Sequence, residues 1–319
     1  MELPSDITPA HFMGGLFIEI CIAILLYGII IAQIYFYWLN SRGDSVMLRA
    51  VVWAVCSFEA LHTIFIVHMA YSYAVEGFGN FEKVSHIVWS AGASVLMEML
   101  IISLTQGFYL WRIWILSSKS LLLTVTTGFF IFIRVGFGLV SGGLTYSAKT
   151  WAVYRDSFGP FFTVTLGLAL SVVVDFLITA TLMFYLYRCR TGFDRTDGVV
   201  KWLMAYAVHT GAISMILSIA TLLTYVLVNH SLVYAGLVTM SSKLYANSFL
   251  GTLNARQLHR QKIQKPGTSD SNRDRSIYIS RTSEQPHIEI FRETTKVTVL
   301  DHDGTPRSPA PLKFYNMNV

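Results

Sequence analysis

FFTVTLGLALSVVVDFLITATLMFYLY, Phe161 to Tyr187, holds a single Asp, Glu, Lys, Arg or His side chain, that of Asp175. A hydrocarbon core of about 30 Å takes about 20 residues of α-helix, because backbone polar groups in lipid must be satisfied within the segment itself. The stretch is therefore long enough to cross a bilayer. Six others are comparable: Gly15 to Leu39, Met47 to Val75, Val88 to Leu116, Leu121 to Leu139, Val199 to Val228 and Leu232 to Leu253. The last is the most polar, and it is counted because VYAGLVTM and SFLGTL are apolar on most sides and a soluble tail follows. The expectation is an all-α polytopic membrane protein, a bundle of seven transmembrane helices.

Composition points the same way. Of the 319 residues 53% are hydrophobic and 13% charged, against roughly 25% charged in a soluble domain. Such a chain cannot cover itself with polar surface. The net charge of +5 comes from basic residues scattered between apolar runs, not gathered on one face, so no nucleic-acid partner is expected. Cys21, Cys56 and Cys189 lie in or at the end of apolar runs, which leaves no extracellular disulfide framework. The start, MELPSDITPAHF, lacks the basic n-region of a cleavable signal, so the first apolar segment is expected to stay.

Lys and Arg in the short connections set the direction. With the amino terminus outside, the cytosolic flanks hold Arg42, Arg49, Arg112, Lys119, Arg188, Arg190, Arg195, Lys201, Arg256, Arg260, Lys262 and Lys265. The outer loops then hold Lys83, Lys149 and Arg155. This bias predicts residues 1–14 outside, a bundle over 15–256 and a cytosolic, largely disordered tail over 257–319, most simply at the plasma membrane. The sequon Asn229-His230-Ser231 falls in the last outer loop, close enough to the membrane to be expected unmodified.

From Pro266 the chain turns to Pro, Ser, Thr, Asn and balanced charge, too polar to fold alone. HIEIFRETTKVTVL (287–300) alternates apolar and polar residues, as a solvated tail does by chance and as a strand added to a cytosolic protein partner's sheet would. Arg273-Asp274-Arg275-Ser276 and Arg281-Thr282-Ser283 have the form of basic-directed phosphorylation sites. Arg256, Arg260, Lys262 and Lys265 follow the last span directly and are expected to hold the tail against anionic lipid.

One block carries a resemblance. RTGFDRTDGVVKWLMAYAVHTGAISMILSIATLL (Arg190 to Leu223), followed by SSKLYANSFLGTLNAR (Ser241 to Arg256), resembles a family of multi-pass membrane proteins abundant in mushroom-forming fungi, the basidiomycetes. Their shared domain is one of unknown function. The family's Gly-Phe-x-Arg-Thr-Asp turn corresponds to Gly192 to Asp197, and its seventh-helix run to Ser242 to Arg256, with Phe249 in place of the usual Leu. Looser likeness extends to Tyr27-Gly28 and to Gln33 to Tyr37. The resemblance implies a fold and a membrane location; it brings no activity, ligand or cofactor.

Ionisable side chains at membrane depth cost about 2.5–3.5 kcal/mol on insertion scales and therefore face the bundle interior in pairs. Glu59, Glu98, Asp175 and Lys243 fall near mid-bilayer, Arg134 in the outer half, and His209 in the inner half of the sixth segment. With His62, one turn from Glu59, and Asn247, one turn from Lys243, they make a candidate buried polar cluster. Such a cluster is either a ligand or ion site or a set of ion pairs that fix helix register. Lys243 is expected to pair with Glu98 or Asp175.

A metal would need three or four ligands from several helices, and Glu59, His62 and His68 only begin such a set. Lys243 has the depth of a retinal-binding lysine, but Thr239, one turn away, supplies no counter-ion. Gly138/Gly142, Ser90/Ser94 and Gly167/Ser171 have the small-xxx-small spacing of close helix packing. No proline interrupts a predicted span, and Pro160 stands at a helix start. Asp-Arg-Tyr and Asn-Pro-x-x-Tyr motifs are lacking; Tyr109-Leu110-Trp111-Arg112 stands at the end of the third span. The first reading is a receptor or sensor without enzymatic activity or cofactor. A transporter or channel is the alternative, and a seven-helix zinc hydrolase and a retinal protein are remote ones.

Overall fold

Ser45 begins the pattern on which the bundle is built: its hydroxyl accepts from Leu48 N, an N-cap that starts a helix immediately after a short polar turn. The computed structural model describes residues 9–117, 119–188, 194–228 and 231–264. These form α1 (Pro9–Asn40), α2 (Val46–Tyr71, prolonged by a π-helical turn Ser72–Glu76), α3 (Phe81–Ser85), α4 (Trp89–Leu116) and α5 (Leu121–Ser147). They continue as α6 (Trp151–Asp156), α7 (Phe158–Arg188), α8 (Asp194–Leu227) and α9 (Val233–Gln264). Among the described residues there is no strand; a lone antiparallel bridge joins His86 to Thr150. Cys189, Arg190, the sequon residues Asn229 and His230, Lys265 and the whole tail lie outside the described residues, as do the side chains of Arg42, Arg195, Lys201, Arg260 and Lys262.

Six of these helices are long and apolar enough to cross a membrane. Their outer faces are apolar: Leu25, Ile29 and Phe36 on α1, and Leu122, Phe129 and Phe132 on α5, are exposed. Their inner faces carry the polar residues. That inversion suits a lipid surround, where backbone bonds are closed inside helices and side chains need no water. This is a helical membrane protein.

The seventh long helix, α9, falls short in hydropathy for a physical reason. It packs on α1, α8, α4 and α2, and Ser242, Lys243, Ala246, Phe249 and Leu250 are fully buried. A helix sheltered on several sides by other helices need not be apolar. The fourth predicted segment, expected to end at Leu139, continues as α5 to Ser147 because its last turns are small and polar where they face inward: Ser141, Gly142 and Thr145 are buried.

Contacts fix the winding. Gly92 faces Thr145 and Tyr146, Gly138 faces Met99, and Gly142 faces Val95 and Leu96, so α4 and α5 are antiparallel and pressed together at the small residues. Gly167 lies against Phe137, Gly159 against Leu144, and Gly211 against Thr179, which sets α5, α7 and α8 antiparallel in turn. Asn247 Nδ2 donates to Leu26 O at 3.2 Å, and Asn254 Nδ2 to Gln33 O at 2.8 Å, both across a separation of 221 residues. Equal separations one heptad apart mean that α1 and α9 lie side by side and run in the same direction.

Candidate functional site

Residues 52, 55, 59, 62, 66 and 69 of α2 are its buried stripe, steps of three and four that place Glu59 and His62 among the core positions. Glu59 meets Lys243 of α9. The ammonium donates to Glu59 Oε2 at 2.5 Å, to Thr63 Oγ1 at 2.7 Å and to Glu59 O at 3.4 Å, with the Tyr27 ring centroid 5.1 Å away. An ammonium has three donors, and all three are used. Lys243 thus pairs with Glu59, not with Glu98 or Asp175 as its depth suggested. The carboxylate belongs to α2 rather than to α4 or α7. His62 is fully buried, its Nδ1 3.4 Å from Ser242 Oγ. Asn247, spent on Leu26 O and Lys243 O, ties α9 to α1. These four residues clamp helices together, while Glu59 Oε1 and His62 Nε2 keep no hydrogen-bond partner among the described residues.

His209 is exposed and belongs to no buried cluster. One residue later it would face inward; the face of α8 toward α7 is set by Gly211, whose missing side chain accommodates Thr179. His68 lies apart from Glu59, its Nδ1 3.0 Å from Ser90 Oγ. Among the described residues no three His, Cys, Asp or Glu side chains converge as a metal would require.

Glu98, Arg134 and Asp175 form a second assembly. A cavity of about 110 Å³ reaches from Trp151, Tyr154 and Tyr234, at the end of the bundle that carries α6, down to Glu98 and Arg134. This upper cavity has room for a few waters or a small organic group, at ~30 Å³ per water. Met69, Val95, Leu168 and Val238 make its sides apolar. Its floor is polar and open to partners: Glu98, 3% exposed, and Arg134, 6% exposed, each present a buried atom, Oε2 and Nη1, with no hydrogen-bond partner among the described residues.

Short α6 closes the top. Thr150 caps it, accepting from Val153 N. Trp151 Nε1 donates to Tyr73 OH at 2.9 Å, Tyr73 OH donates to His86 O at 3.0 Å, and Ser141 Oγ lies 2.6 Å from Tyr154 OH. Burial pushes the Tyr154 phenol above its ordinary range, which keeps it a neutral donor. Ile87 N donates to Lys149 O at 3.1 Å, pinning the two loops that flank this end.

Below the floor lies Tyr245 of α9. The Arg134 guanidinium sits 5.4 Å from its ring centroid, and its hydroxyl donates to Asp175 Oδ2 at 2.6 Å. A lower cavity of about 40 Å³ follows, lined by Asp175, Gln106, Tyr109, Ser214, Tyr245 and Ser248. The polar interior is therefore continuous in residues but divided by one tyrosine ring.

Sequence reasoning passed over four participants. Glu19 of α1 is buried against Gly236, where an added Cβ would strike its carboxylate. Gln106 was hidden because amides carry no charge to count. Trp151 and Tyr154 stood in a connection with no apolar period long enough to notice. For Glu19 alone a signal existed, an acid inside the first apolar run.

Residues 171–258 match a family of unknown function (DUF6534). This part of the chain is similar to that domain, and it takes in Asp175, Lys243 and Tyr245 while leaving out Glu59, Glu98 and Arg134. No curated protein and no solved structure matches the chain.

Proposed function

We propose that this is a seven-helix receptor or sensor, not an enzyme, which receives a small amphiphilic molecule in the upper cavity. The observation that carries the reading is the pair of buried charged-group atoms without partners, Glu98 Oε2 and Arg134 Nη1, at the floor of a cavity whose walls mix apolar side chains with hydroxyls, Tyr234 OH among them unpartnered too. Leaving such groups unpaired costs about 1–3 kcal/mol each, more when charged, so a ligand that supplies a hydrogen-bonding head with an apolar body recovers that loss on binding. The same reading makes α9 the seventh span and puts the amino terminus outside. The Lys/Arg bias supports it, as does the parallel run of α1 and α9, which an odd number of crossings requires. The upper cavity then faces the exterior. Placement in the plasma membrane, anionic lipid along Arg256 and the basic residues after it, a cytosolic protein partner for the tail, and kinship with the mushroom-forming fungal family belong to the same proposal.

A transporter is the second reading, favoured by the lower cavity beyond Tyr245.

The test replaces Cys21, Cys56 and Cys189 by alanine and introduces Ser94→Cys, which lines the upper cavity. In intact cells a membrane-impermeant thiol reagent applied outside should label it. Labelling only after the cytosolic face is opened would overturn the orientation, and no labelling from either side would overturn the cavity. Small carboxylates and alcohols with apolar bodies should raise the melting temperature of the purified chain, and Arg134→Gln should abolish the effect. Uptake of the same compounds into reconstituted vesicles would decide for the transporter.

A further inference from the structure

Charges in the interior do not balance. Glu59 and Lys243 neutralise each other. Around the two cavities the described helices then bring two carboxylates, Glu98 and Asp175, and one guanidinium, Arg134. Asp175 is 4% exposed and receives a hydroxyl from Tyr245, but no Lys, Arg or His nitrogen lies within 4.0 Å of it among the described residues. Its other close neighbours, Ser214 and Gln106, are neutral as well, and a carboxylate so deep needs a counter-charge to remain ionised.

Gln106 supplies the independent observation. It is fully buried on α4, lines the same lower cavity, and neither its Oε1 nor its Nε2 has a hydrogen-bond partner among the described residues. A buried amide with both ends unsatisfied is rare in a settled core. Around it are further oxygens with lone pairs to give. Ser214 spends its proton on Gly211 O at 3.0 Å, and Tyr109 OH and Ser248 Oγ lie 2.8 Å apart.

We propose that the lower cavity is a binding site for a single monovalent cation, of the hardness and size of Na⁺, held by the Asp175 carboxylate and Gln106 Oε1 with hydroxyl oxygens completing its shell. Donor chemistry sets the class. Every named donor is a hard oxygen, with no thiolate or imidazole to select a transition metal. One carboxylate is too few for a divalent ion, since calcium sites gather several and magnesium demands a strict octahedron. A volume of about 40 Å³ admits one small ion with little accompanying water. One bound positive charge also balances the ionisable groups that line the two cavities, Glu98, Asp175 and Arg134. Because Tyr245 touches Asp175 below and Arg134 above, the ion and the floor of the upper cavity share a wall.

The inference does not depend on what the upper cavity receives. The full-length chain, purified in uncharged detergent, is melted in NaCl and in N-methylglucamine chloride at equal ionic strength and constant pH. The melting temperature should rise with the logarithm of Na⁺ at the slope of one bound ion, and K⁺ should act more weakly. Asp175→Asn should abolish the rise, and Gln106→Leu, which keeps the charge, should shift the response to at least tenfold higher Na⁺. Ser103→Ala, whose hydroxyl bonds only Met99 O in its own helix, should leave it unchanged. Saturable retention of ²²Na⁺ by the unaltered chain keeps the test open if Asp175→Asn does not fold. Equal melting in the two salts, or an undiminished Na⁺ response in Gln106→Leu, would overturn the proposal.

Discussion

Lys243→Ala should be among the most damaging single substitutions in the bundle. Both members of the Lys243–Glu59 pair have fully buried side chains, and the ammonium gives all its protons to α2. Truncating it removes three hydrogen bonds, opens a cavity where three methylenes and the ammonium were packed, and leaves Glu59 charged and alone. Breaking a buried pair from one side costs about 3–5 kcal/mol. At about 2–4 °C per kcal/mol for a bundle of this size, the melting temperature should fall by roughly 6–20 °C. Reversible unfolding in mixed micelles, followed by tryptophan fluorescence, measures it. The double substitution Lys243→Met with Glu59→Leu should recover much of the loss, because both charges leave together. Lys243→Met with Asp175→Asn should recover none, since Asp175 is not the partner. A loss for Lys243→Ala below about 0.5 kcal/mol, the scale of an unremarkable surface change, or equal recovery by both doubles, would refute the pairing.

Three further outcomes follow from packing and hydrogen bonding. Gly92→Ala should destabilise by about 1–3 kcal/mol, because the new methyl meets Thr145 and Tyr146 on α5, whereas Gly107→Ala on the same helix, with nothing within 4 Å, should be neutral or better. Tyr245→Phe should cost about 1.5–3 kcal/mol through the lost donation to Asp175, and Tyr225→Phe, whose hydroxyl has no partner among the described residues, should cost almost nothing in the same melts. Trp151→Phe should cost about 0.5–1.5 kcal/mol by unlinking α6 from Tyr73. It should also speed thiol labelling of Ser94→Cys, and an unchanged labelling rate would mean that α6 does not cover the cavity.

The apolar runs were legible because lipid imposes one rule on every span, a length of helix without charge. Ends were less so: α5 outlasts Leu139 since Ser141, Gly142 and Thr145 face protein, where polarity carries no penalty. Glu98, Arg134 and Asp175 could be named from their depth alone, and so could Lys243, but partners could not. Depth is a property of one helix; azimuth is a property of the pair, and nothing along the chain encodes that Glu59 and not Glu98 meets Lys243. His209 misled for the same reason, sitting at a buried depth on an exposed face. Gln106 could be found only by asking which amides lack partners, a question that requires coordinates.

The side-by-side run of α1 and α9 joins the first described helix to the last. Ribosomes deliver α9 after all six helices that are apolar enough to cross a membrane, and it is the one least able to enter a bilayer on hydropathy alone. Until then Glu59 has no counter-charge, and Leu26 and Gln33 lack the asparagines that bind them. The earlier helices must therefore wait as an unfinished ring that keeps a slot open for a polar arrival. A chain stopped short of Val233 would keep that slot for good, with a bare carboxylate at membrane depth to mark it for degradation.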